Sequence, residues 1–361
     1  MIRLLIAEDS TTVQRVLRSL LEDEPNIEVV GVADNGEMAV EMCRELRPDI
    51  VTMDIFMPKM TGLEATRQIM SECPTRIVII SSMVKSKDTN YSFEAMRAGA
   101  VEVIEKPTGI LSGKYQEIKK DLVRIIKNTI RTRPDAQLSW LPSKTPIIPW
   151  ENNSIDERSS QIPQDSNYPL VLPELICIGG STGAPTVIVE ILSQLPADYP
   201  IPIVVAQHIS KGFAQKMSEW LNSSMPLNVQ MAHSQSVPVP GNVLVCPDHS
   251  HATFSSKGII KLVPPTEQGG HVPSIDRLFK GAAEAYGETA VGVILSGMGK
   301  DGADGLLQLR KQKAYTIGQS EETSVVYGMN RVAAELGAVS VELSPIEIAD
   351  QLLEIGKLPK K

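Results

Sequence analysis

The sequence predicts two α/β domains, each built on a doubly wound and mainly parallel sheet. Short apolar runs alternate with amphipathic stretches over residues 1–131 and again over residues 171–361, which is the pattern of parallel strands joined by crossover helices. Between them, residues 132–170 contain six prolines and a polar tract that interrupt the periodicity. The length of 361 residues also exceeds what one hydrophobic core commonly organises. We therefore expect two domains and a linker with these boundaries.

Composition narrows the class of protein. The net charge is −8 at pH 7, whereas a general nucleic-acid-binding protein normally displays a basic face. Acidic residues at positions 8 and 9 come too early for a signal peptide, and no apolar run approaches the ~20 residues of a membrane-spanning helix. The four cysteines are widely scattered, as in proteins of a reducing compartment. We expect a cytoplasmic protein that binds no nucleic acid and does not insert into a membrane.

The first domain contains five apolar runs that predict β-strands, with amphipathic helices between them. Strands that alternate with helices predict a doubly wound parallel sheet of the flavodoxin-like type, whose ligands bind at the carboxyl ends of the strands. The predicted strands are 3–7, 29–33, 48–54, 77–81 and 101–106, and the predicted helices include 10–22, 36–46 and 113–130.

Polar residues stand at the carboxyl ends of four of these strands. They are Glu8, Asp9, Asp54, Ser81 and Lys106. Three clustered carboxylates repel one another unless a cation lies between them, and hard oxygen ligands suit Mg²⁺. In such a site Asp54 attacks a phosphoryl group, while Ser81 and Lys106 contact the transferred oxygens. A solvated strand end is the simpler interpretation of any one residue, but five in this chain order favour a site.

This constellation resembles the receiver domain of two-component response regulators. The resemblance implies that Asp54 is the phospho-acceptor, that Mg²⁺ binds at Glu8, Asp9 and Asp54, and that a histidine kinase is the phosphodonor. Val103 stands where many receivers carry an aromatic switch residue. The matching pieces are Ala7 to Ser10, Asp54 with Met57-Pro58 and Gly62, Ser81-Ser82, and Lys106-Pro107.

The linker is unusually apolar for a tether between domains. Trp140 and Trp150 flank several aliphatic residues within the proline-rich part. Docking of these side chains into an interdomain surface and a role as a short recognition segment both remain open. Either way, a tether of this kind lets two domains dock and separate.

The second domain again alternates strands and helices. Its roughly 190 residues are ample for one α/β core. The predicted strands are 175–178, 201–206, 228–232, 243–246, 259–263, 290–296 and 314–318, and the predicted helices are 185–195, 212–222, 273–286, one from 303, 328–336 and 345–355.

A glycine-rich turn follows the first of these strands. Gly179-x-Ser181-x-Gly183 fits the G-x-S-x-G pattern, which holds a serine at an exposed strand-to-helix corner. A serine near pH 7 needs a base, and His208 lies directly after the next strand. Asp301, in a glycine-rich loop after a later strand, is the candidate carboxylate that orients the histidine. The sequence therefore predicts a Ser181–His208–Asp301 triad at one sheet edge.

Several other interpretations of the second domain remain open at this point. The glycine turn also suits a phosphate, and Asp301 suits the N-cap of the helix that follows it. His249 and His251 are conceivable metal ligands, although a zinc site needs three or four. An output domain that only binds partners is another alternative, and so is a DNA-binding output domain, which the acidic balance disfavours.

The second domain resembles the chemotaxis methylesterase family, CheB, in which it follows a receiver domain. The resemblance implies hydrolysis of glutamate γ-methyl esters on chemoreceptor helices, deamidation of receptor glutamines, and no cofactor for the esterase reaction. It makes Ser181 the nucleophile, His208 the general base and Asp301 the orienting carboxylate, with the receiver covering the serine until phosphorylation. The matching pieces are Gly179 to Gly183, Gln207-His208, Pro240-Gly241, Cys246-Pro247, His249, Pro273 to Asp276 and Gly297 to Ala303.

An ester hydrolase of this kind also needs donors for the oxyanion that forms on the carbonyl. From their position in the loops beside the triad, the N–H groups of Thr182 and Met298 are the candidates.

Overall fold

The structure is a computed structural model of the chain. It describes residues 1–21, 24–81, 94–96, 98–106, 115–130, 168–209, 211–256, 258–265 and 270–360. The predicted linker, with Trp140 and Trp150, lies outside the described residues except for positions 168–170.

The N-terminal domain is a five-stranded parallel sheet with helices on both faces. The strand order is β2-β1-β3-β4-β5, and every neighbouring pair is parallel. This order confirms the predicted flavodoxin-like fold. Its strands are β1 Ile2–Ala7, β2 Ile27–Ala33, β3 Ile50–Asp54, β4 Arg76–Ser81 and β5 Glu102–Glu105, and the helices of its described part are α1 Thr11–Leu21, α2 Gly36–Leu46, α3 Gly62–Glu72 and α4 Tyr115–Thr129.

Burial on both faces explains why these strands are apolar throughout. In β1, Leu4 and Ile6 pack into one core, together with residues of α1 and α4. Leu5 and Ala7 of the same strand pack into the core on the opposite face, against α2 and α3. A strand covered by helices on both sides has no solvent face, so its sequence does not alternate.

The C-terminal domain has a seven-stranded sheet and a separate hairpin. Its strands are β6 Leu175–Gly180, β7 Ile203–Gln207, β8 Asn228–Met231, β9 Asn242–Val245, β10 His251–Phe254, β11 Ile260–Val263, β12 Ala290–Ile294, β13 Tyr315–Gln319 and β14 Val341–Leu343. Its helices are α5 Ala184–Leu192, α6 Ala214–Ser224, α7 Ile275–Tyr286, the short 3₁₀ helix Gly287–Thr289, α8 Ala303–Lys311, α9 Met329–Glu335 and α10 Pro345–Gly356.

The large sheet runs in the order β14-β13-β12-β6-β7-β9-β8. All of its neighbouring pairs are parallel, whereas β10 and β11 form an antiparallel pair of their own. The mainly parallel, doubly wound prediction is therefore confirmed. β10 and β14 were not predicted, because β10 begins with a histidine and contains a threonine, and β14 has no buried residue, so neither shows an apolar run.

The centre of this sheet is the part that positions the site. β6 lies between β7 and β12, and their carboxyl ends lie at the same edge. In open α/β sheets this edge is where ligands bind. Ser181 follows β6, His208 follows β7, and the loop that carries Asp301 follows β12. No helix in the described part of the chain is both long and apolar enough to cross a membrane.

Candidate functional site

The corner at Ser181 is held by main-chain hydrogen bonds. The Ser181 N–H donates to the Ser296 carbonyl over 3.0 Å, and the Ser181 carbonyl accepts from the Ala184 N–H over 3.0 Å. Gly183, which caps α5, has φ +82°, and a Cβ there would lie 2.5 Å from Cβ of Val325. Only glycine fits this position, both for its left-handed backbone and for its space. Gly183 is therefore required by the conformation of the turn between β6 and α5.

His208 continues the line of β7. Its N–H donates to the Gly180 carbonyl over 2.9 Å, which sets the histidine beside the serine corner. Nε2 of the ring lies 2.8 Å from Oδ2 of Asp301, while Nδ1 is buried and has no partner among the described residues. The His271 ring stacks on the His208 ring, with centroids 4.1 Å apart and planes at 14°.

The carboxylate of Asp301 is held by the start of another helix. It accepts from the Ser274 hydroxyl over 3.0 Å, from the Ile275 N–H over 2.8 Å and from the Asp276 N–H over 3.1 Å. Burial on its own would raise the pKa of Asp301. The hydrogen bond from His208, the charge of His208 and the main-chain donors outweigh it, so the pKa falls to about 2.

Asp301 does cap a helix, but not the one expected. The cap of its own helix, α8, is Gly302 without a side-chain bond, so the N-cap interpretation of Asp301 for that helix was wrong. Instead Asp276 accepts from the Gly302 N–H over 3.1 Å and from the Gly305 N–H over 2.6 Å. Asp301 and Asp276 thus cap each other's helices, α7 and α8.

A cavity of about 390 Å³ adjoins the triad. Ser181, His208 and Met298 line it, and so do Ile104 and Ile125 of the N-terminal domain. The carboxyl edge of the second sheet thus faces the first domain across this cavity. Its described lining is Glu102, Ile104, Ile125, Ser181, Thr182, His208, Ile209, His271, Val272, Met298 and Gly299.

Strand β5 of the first domain contacts the serine corner directly. The Thr182 hydroxyl donates to Oε2 of Glu102 over 3.0 Å. Beside this bond, Val101 packs with Val325 and Val326, against the half-buried Met298. One charged contact and one small apolar cluster therefore hold the two domains together at the site.

The two residues predicted to donate to an oxyanion both adjoin this cavity. Thr182 and Met298 line the cavity, and the N–H of neither residue has an acceptor within the described ranges. The Ser181 N–H is excluded, because it is bonded to the Ser296 carbonyl. Two residues that line the cavity with Ser181 thus have N–H groups without an acceptor in the described part of the chain.

The two histidines considered as metal ligands serve other purposes. Nδ1 of His251 accepts from the Ser274 N–H over 3.0 Å. The pKa of His251 is lowered mainly by burial and, to a smaller extent, by the positive charge of Arg277. His249 is exposed, with Nδ1 3.5 Å from Oδ1 of Asp248. Among the described residues, no third metal-binding side chain joins them.

The acidic edge of the first sheet assembles as expected. Ligand oxygens of Glu8, Asp9 and Asp54 lie within 4.8 Å of one another. Nζ of Lys106 lies 2.9 Å from Oδ2 of Asp54, and it donates a hydrogen bond to Oε1 of Glu8 over 3.1 Å. Burial raises the pKa of Glu8 and Asp54 despite this lysine.

This donor set fits a hard divalent cation, since it offers three carboxylates at close range. The Ser81 backbone ends β4 as predicted, but its side chain is outside the described residues. Val103, at the expected switch position, is buried in β5 and lies opposite Ile79.

No structural role was predicted from the sequence for several residues that build the site. Gln207, Ser274 and Asp276 bond to the triad or to its loops, and Glu102 reaches it from the other domain. A serine after Pro273 at the start of an amphipathic helix is a recognisable N-cap signal. The partner that such a cap meets depends on tertiary packing, which no local pattern encodes.

A flavodoxin-like domain with an acidic edge, joined to an α/β domain with a serine–histidine–aspartate edge, defines a response regulator with a hydrolase-type output domain. Comparison with family models agrees. The response regulator receiver domain matches residues 4–112, and the CheB methylesterase matches residues 176–352.

Similar proteins match over the whole length. The chain is 38% identical over 358 residues to protein-glutamate methylesterase/protein-glutamine glutaminase 1 of Syntrophus aciditrophicus, covering 99% of each chain. It is 39% identical over 359 residues to protein-glutamate methylesterase/protein-glutamine glutaminase 2 of Methanospirillum hungatei, again covering 99% of each. The crystal structure of the Thermotoga maritima CheB methylesterase catalytic domain is 31% identical, with a TM-score of 0.49, over 51% of this chain and 98% of that one. The chain belongs to the CheB family of receiver-linked methylesterases.

Proposed function

We propose that this chain is a protein-glutamate methylesterase and protein-glutamine glutaminase that is activated by phosphorylation of its receiver domain. The observation that carries the proposal is that Ser181, His208 and Asp301 stand at adjoining strand ends, with a 2.8 Å bond between His208 and Asp301. In the described structure, Nδ1 of His208 makes no hydrogen bond to the Ser181 hydroxyl. The names of the full-length relatives support the same activity. In this proposal residues 1–131 are the receiver, 132–170 the linker and 171–361 the catalytic domain.

The geometry of His208 supports Nδ1 as the ring nitrogen that acts as the base. Nε2 is engaged by Asp301, so the neutral ring carries its proton there and donates it to the carboxylate. Nδ1, which has no partner in the described structure, is then the lone pair that takes the Ser181 proton. Asp301 fixes this tautomer and stabilises the charged ring that results.

The reaction follows from these positions. Ser181 Oγ attacks the γ-carbonyl of the glutamyl ester as His208 removes its proton, and the N–H groups of Thr182 and Met298 stabilise the oxyanion. His208 returns the proton to the leaving methoxide, which departs as methanol. Water then hydrolyses the acyl-enzyme by the same route and releases glutamate. With a glutamine substrate, His208 protonates the amide nitrogen instead, which departs as ammonia.

The receiver site supplies the switch. Asp54 accepts a phosphoryl group from a histidine kinase, while Ser81 and Lys106 contact the transferred oxygens. Glu8, Asp9 and Asp54 would hold Mg²⁺, which supplies charge neutralisation at the phosphoryl group when bound. The substrates are methylated glutamates and glutamines on the cytoplasmic helices of chemoreceptors, which places the protein in the cytoplasm.

Docking of the receiver on the catalytic edge supports a covered resting state. The Thr182–Glu102 bond lies one residue from the proposed nucleophile, and Ile104 and Ile125 help to line its cavity. A receptor helix cannot reach Ser181 through the space that β5 occupies. Phosphorylation of Asp54 would weaken this docking and open the site.

The decisive experiment is release of methanol from methylated receptor, with and without a small-molecule phosphodonor. Ser181→Ala should abolish the release and leave phosphorylation of Asp54 unchanged, because the two sites are on different domains. Asp54→Asn is the matched control, which should keep the unstimulated rate and lose the stimulation. Methanol release retained by Ser181→Ala would refute the assignment of the nucleophile.

A further inference from the structure

We propose that Gln207 is a positioning residue, which aims the Thr182 N–H into the cavity by holding the peptide between Ser181 and Thr182. The inference deepens the proposed hydrolase function and rests on it. Gln207 is the last residue of β7, and it is only 2% exposed. It lies between the serine corner and the histidine corner.

The side-chain amide of Gln207 bonds to both corners. Its Nε2 donates to the Ser181 carbonyl over 2.8 Å and to the His208 carbonyl over 2.9 Å. A primary amide has two N–H donors, so both are used, and each goes to the main chain of a triad residue. One buried side chain therefore ties the backbone of the proposed nucleophile to the backbone of the proposed base.

The bond to Ser181 also sets the direction of the next N–H. A trans peptide is planar, and its C=O and N–H point in opposite directions. The Ser181 carbonyl points inward, because it accepts from Gln207 and from the Ala184 N–H. The Thr182 N–H belongs to the same peptide and must point the other way. Thr182 lines the cavity, and its N–H has no acceptor among the described residues, as expected if it points into this space.

The following peptide is held as well. The Ser296 hydroxyl donates to the Thr182 carbonyl over 2.8 Å, and it accepts from the Val326 N–H over 2.9 Å. The peptides on both sides of Thr182 are thus fixed through their carbonyl groups, which accept from buried side chains at neighbouring strand ends. A peptide flip at Thr182 would break these bonds, so the N–H direction is built in before substrate arrives.

The glycine before the serine makes room for this arrangement. A Cβ at Gly180 would lie 2.9 Å from Oε1 of Gln207 and 2.4 Å from Cβ of Ala184. A larger residue would push the amide away from the two carbonyls that it holds. The position of Gly180 therefore requires glycine for space. The G-x-S-x-G pattern does not express this requirement, because Gly180 stands at the first unspecified position of the pattern.

Gln207→Met tests the proposal, because methionine keeps the length of the side chain and removes both donors. Loss of one oxyanion donor costs on the order of 10²–10³ in kcat, and a donor that is only misdirected should cost about tenfold or more. We expect kcat for methanol release to fall by that factor, with KM changed by less than about twofold.

Two further measurements separate positioning from loss of stability. The control is Ser218→Ala, which removes a buried hydroxyl bond to the Gln215 carbonyl in α6 and should lower Tm while leaving kcat unchanged. Gln207→Glu keeps the volume but, when ionised, has no proton to donate. Its kcat relative to the parent should recover on the acid side of neutrality, where the buried carboxyl is protonated and donates one bond.

Labelling of Ser181 by an organophosphonate provides a readout that needs no receptor. Its tetrahedral adduct uses the same N–H groups, so the labelling rate of Gln207→Met should fall in parallel with kcat. A Gln207→Met protein that melts cooperatively and labels at the parent rate would overturn the proposal. If the parent is labelled but releases no methanol, the proposed function fails and the role of Gln207 is still decided by the labelling ratio.

Discussion

Asp301 shows how one carboxylate can serve both the reaction and the fold. It orients His208, and it also accepts two N–H bonds and one hydroxyl bond at the start of α7. Its side chain is 14% exposed, so these bonds are poorly screened by solvent. The charged form is stabilised in the folded protein, and the pKa of the group is accordingly low.

This pKa has a consequence for stability against acid. The pKa falls from 3.8 to about 2, which corresponds to about 2 kcal/mol at about 1.4 kcal/mol for each pH unit. Because the folded value is the lower one, this stabilisation is complete above about pH 4 and is lost as the pH falls towards 2. Asp301→Asn should remove it.

The measurement is the difference in Tm between the parent and Asp301→Asn as a function of pH. We expect a constant difference from neutrality down to about pH 4, followed by a narrowing below it, where the parent loses its advantage. A difference that stays constant down to pH 3, or widens, would show that Asp301 is not held as a charged group.

The sequence pointed to the proposed triad residues but assigned no role to the residues that support them, for a definite reason. Ser181, His208 and Asp301 each follow a strand directly, and the edge of a parallel sheet brings such residues together without any knowledge of side-chain contacts. Gln207 and Asp276 act by bonding to main-chain groups of distant loops. Those partners depend on register and on helix packing, which alternating apolar residues do not specify.

At the scale of elements, α7 and α8 begin against each other. Each helix start lacks main-chain acceptors for its first N–H groups, and each receives a carboxylate from the other. Burial and the neighbouring Asp301 raise the pKa of Asp276, although the N–H of Gly305 opposes the rise. Asp276 therefore stabilises the fold as a hydrogen-bond acceptor more than as a charged group.

Asp276→Asn and Asp276→Ala separate these two properties. Asparagine keeps an oxygen for the N–H groups of Gly302 and Gly305 and removes the repulsion with Asp301, so its stability should equal or exceed that of the parent. Alanine leaves both N–H groups unpaired and should lower the free energy of unfolding by about 1–2 kcal/mol. Urea unfolding of both variants at neutral pH gives the comparison. Equal stability of the two variants would contradict the capping role.

Most elements of the fold could be predicted because their strands are buried on both faces and read as continuous apolar runs. The exceptions are instructive. β14 has three residues of intermediate or high exposure, and β10 contains a buried histidine whose partner is the Ser274 N–H. Neither carries a pattern that distinguishes it from a loop. Their places are set by the neighbouring strands β13 and β11.

At the scale of the whole molecule, the N-terminal domain covers the sheet edge of the C-terminal domain that carries Ser181. The contact joins β5, an edge strand of the receiver sheet, to the loops after β6, β12 and β13. Glu102 supplies its charged part. A half-buried hydrogen bond of this kind contributes about 0.5–1.5 kcal/mol, enough to shift a docking equilibrium without making it permanent.

Removal of this carboxylate should therefore raise the resting activity. Glu102→Ala is expected to increase methanol release by the unphosphorylated protein about threefold to tenfold, since each 1.4 kcal/mol is about tenfold in an equilibrium. The phosphorylated rate should stay the same, because the domains are then apart. Glu28→Ala, at an exposed position of β2 on the opposite edge of the sheet, is the control and should leave both rates unchanged. Equal resting rates for the two variants would argue against Glu102 as a docking contact.

The paired helix caps also have a kinetic signature. The N–H groups of Ile275, Asp276, Gly302 and Gly305 are all bonded to one of two carboxylates. Opening either helix start releases the acceptor that the other depends on. In hydrogen exchange these amides should therefore open as one cooperative unit and share a single protection factor. Because one of those carboxylates also orients His208, each such opening takes the base out of position, and the rate of local opening sets a limit on how long the proposed triad stays assembled.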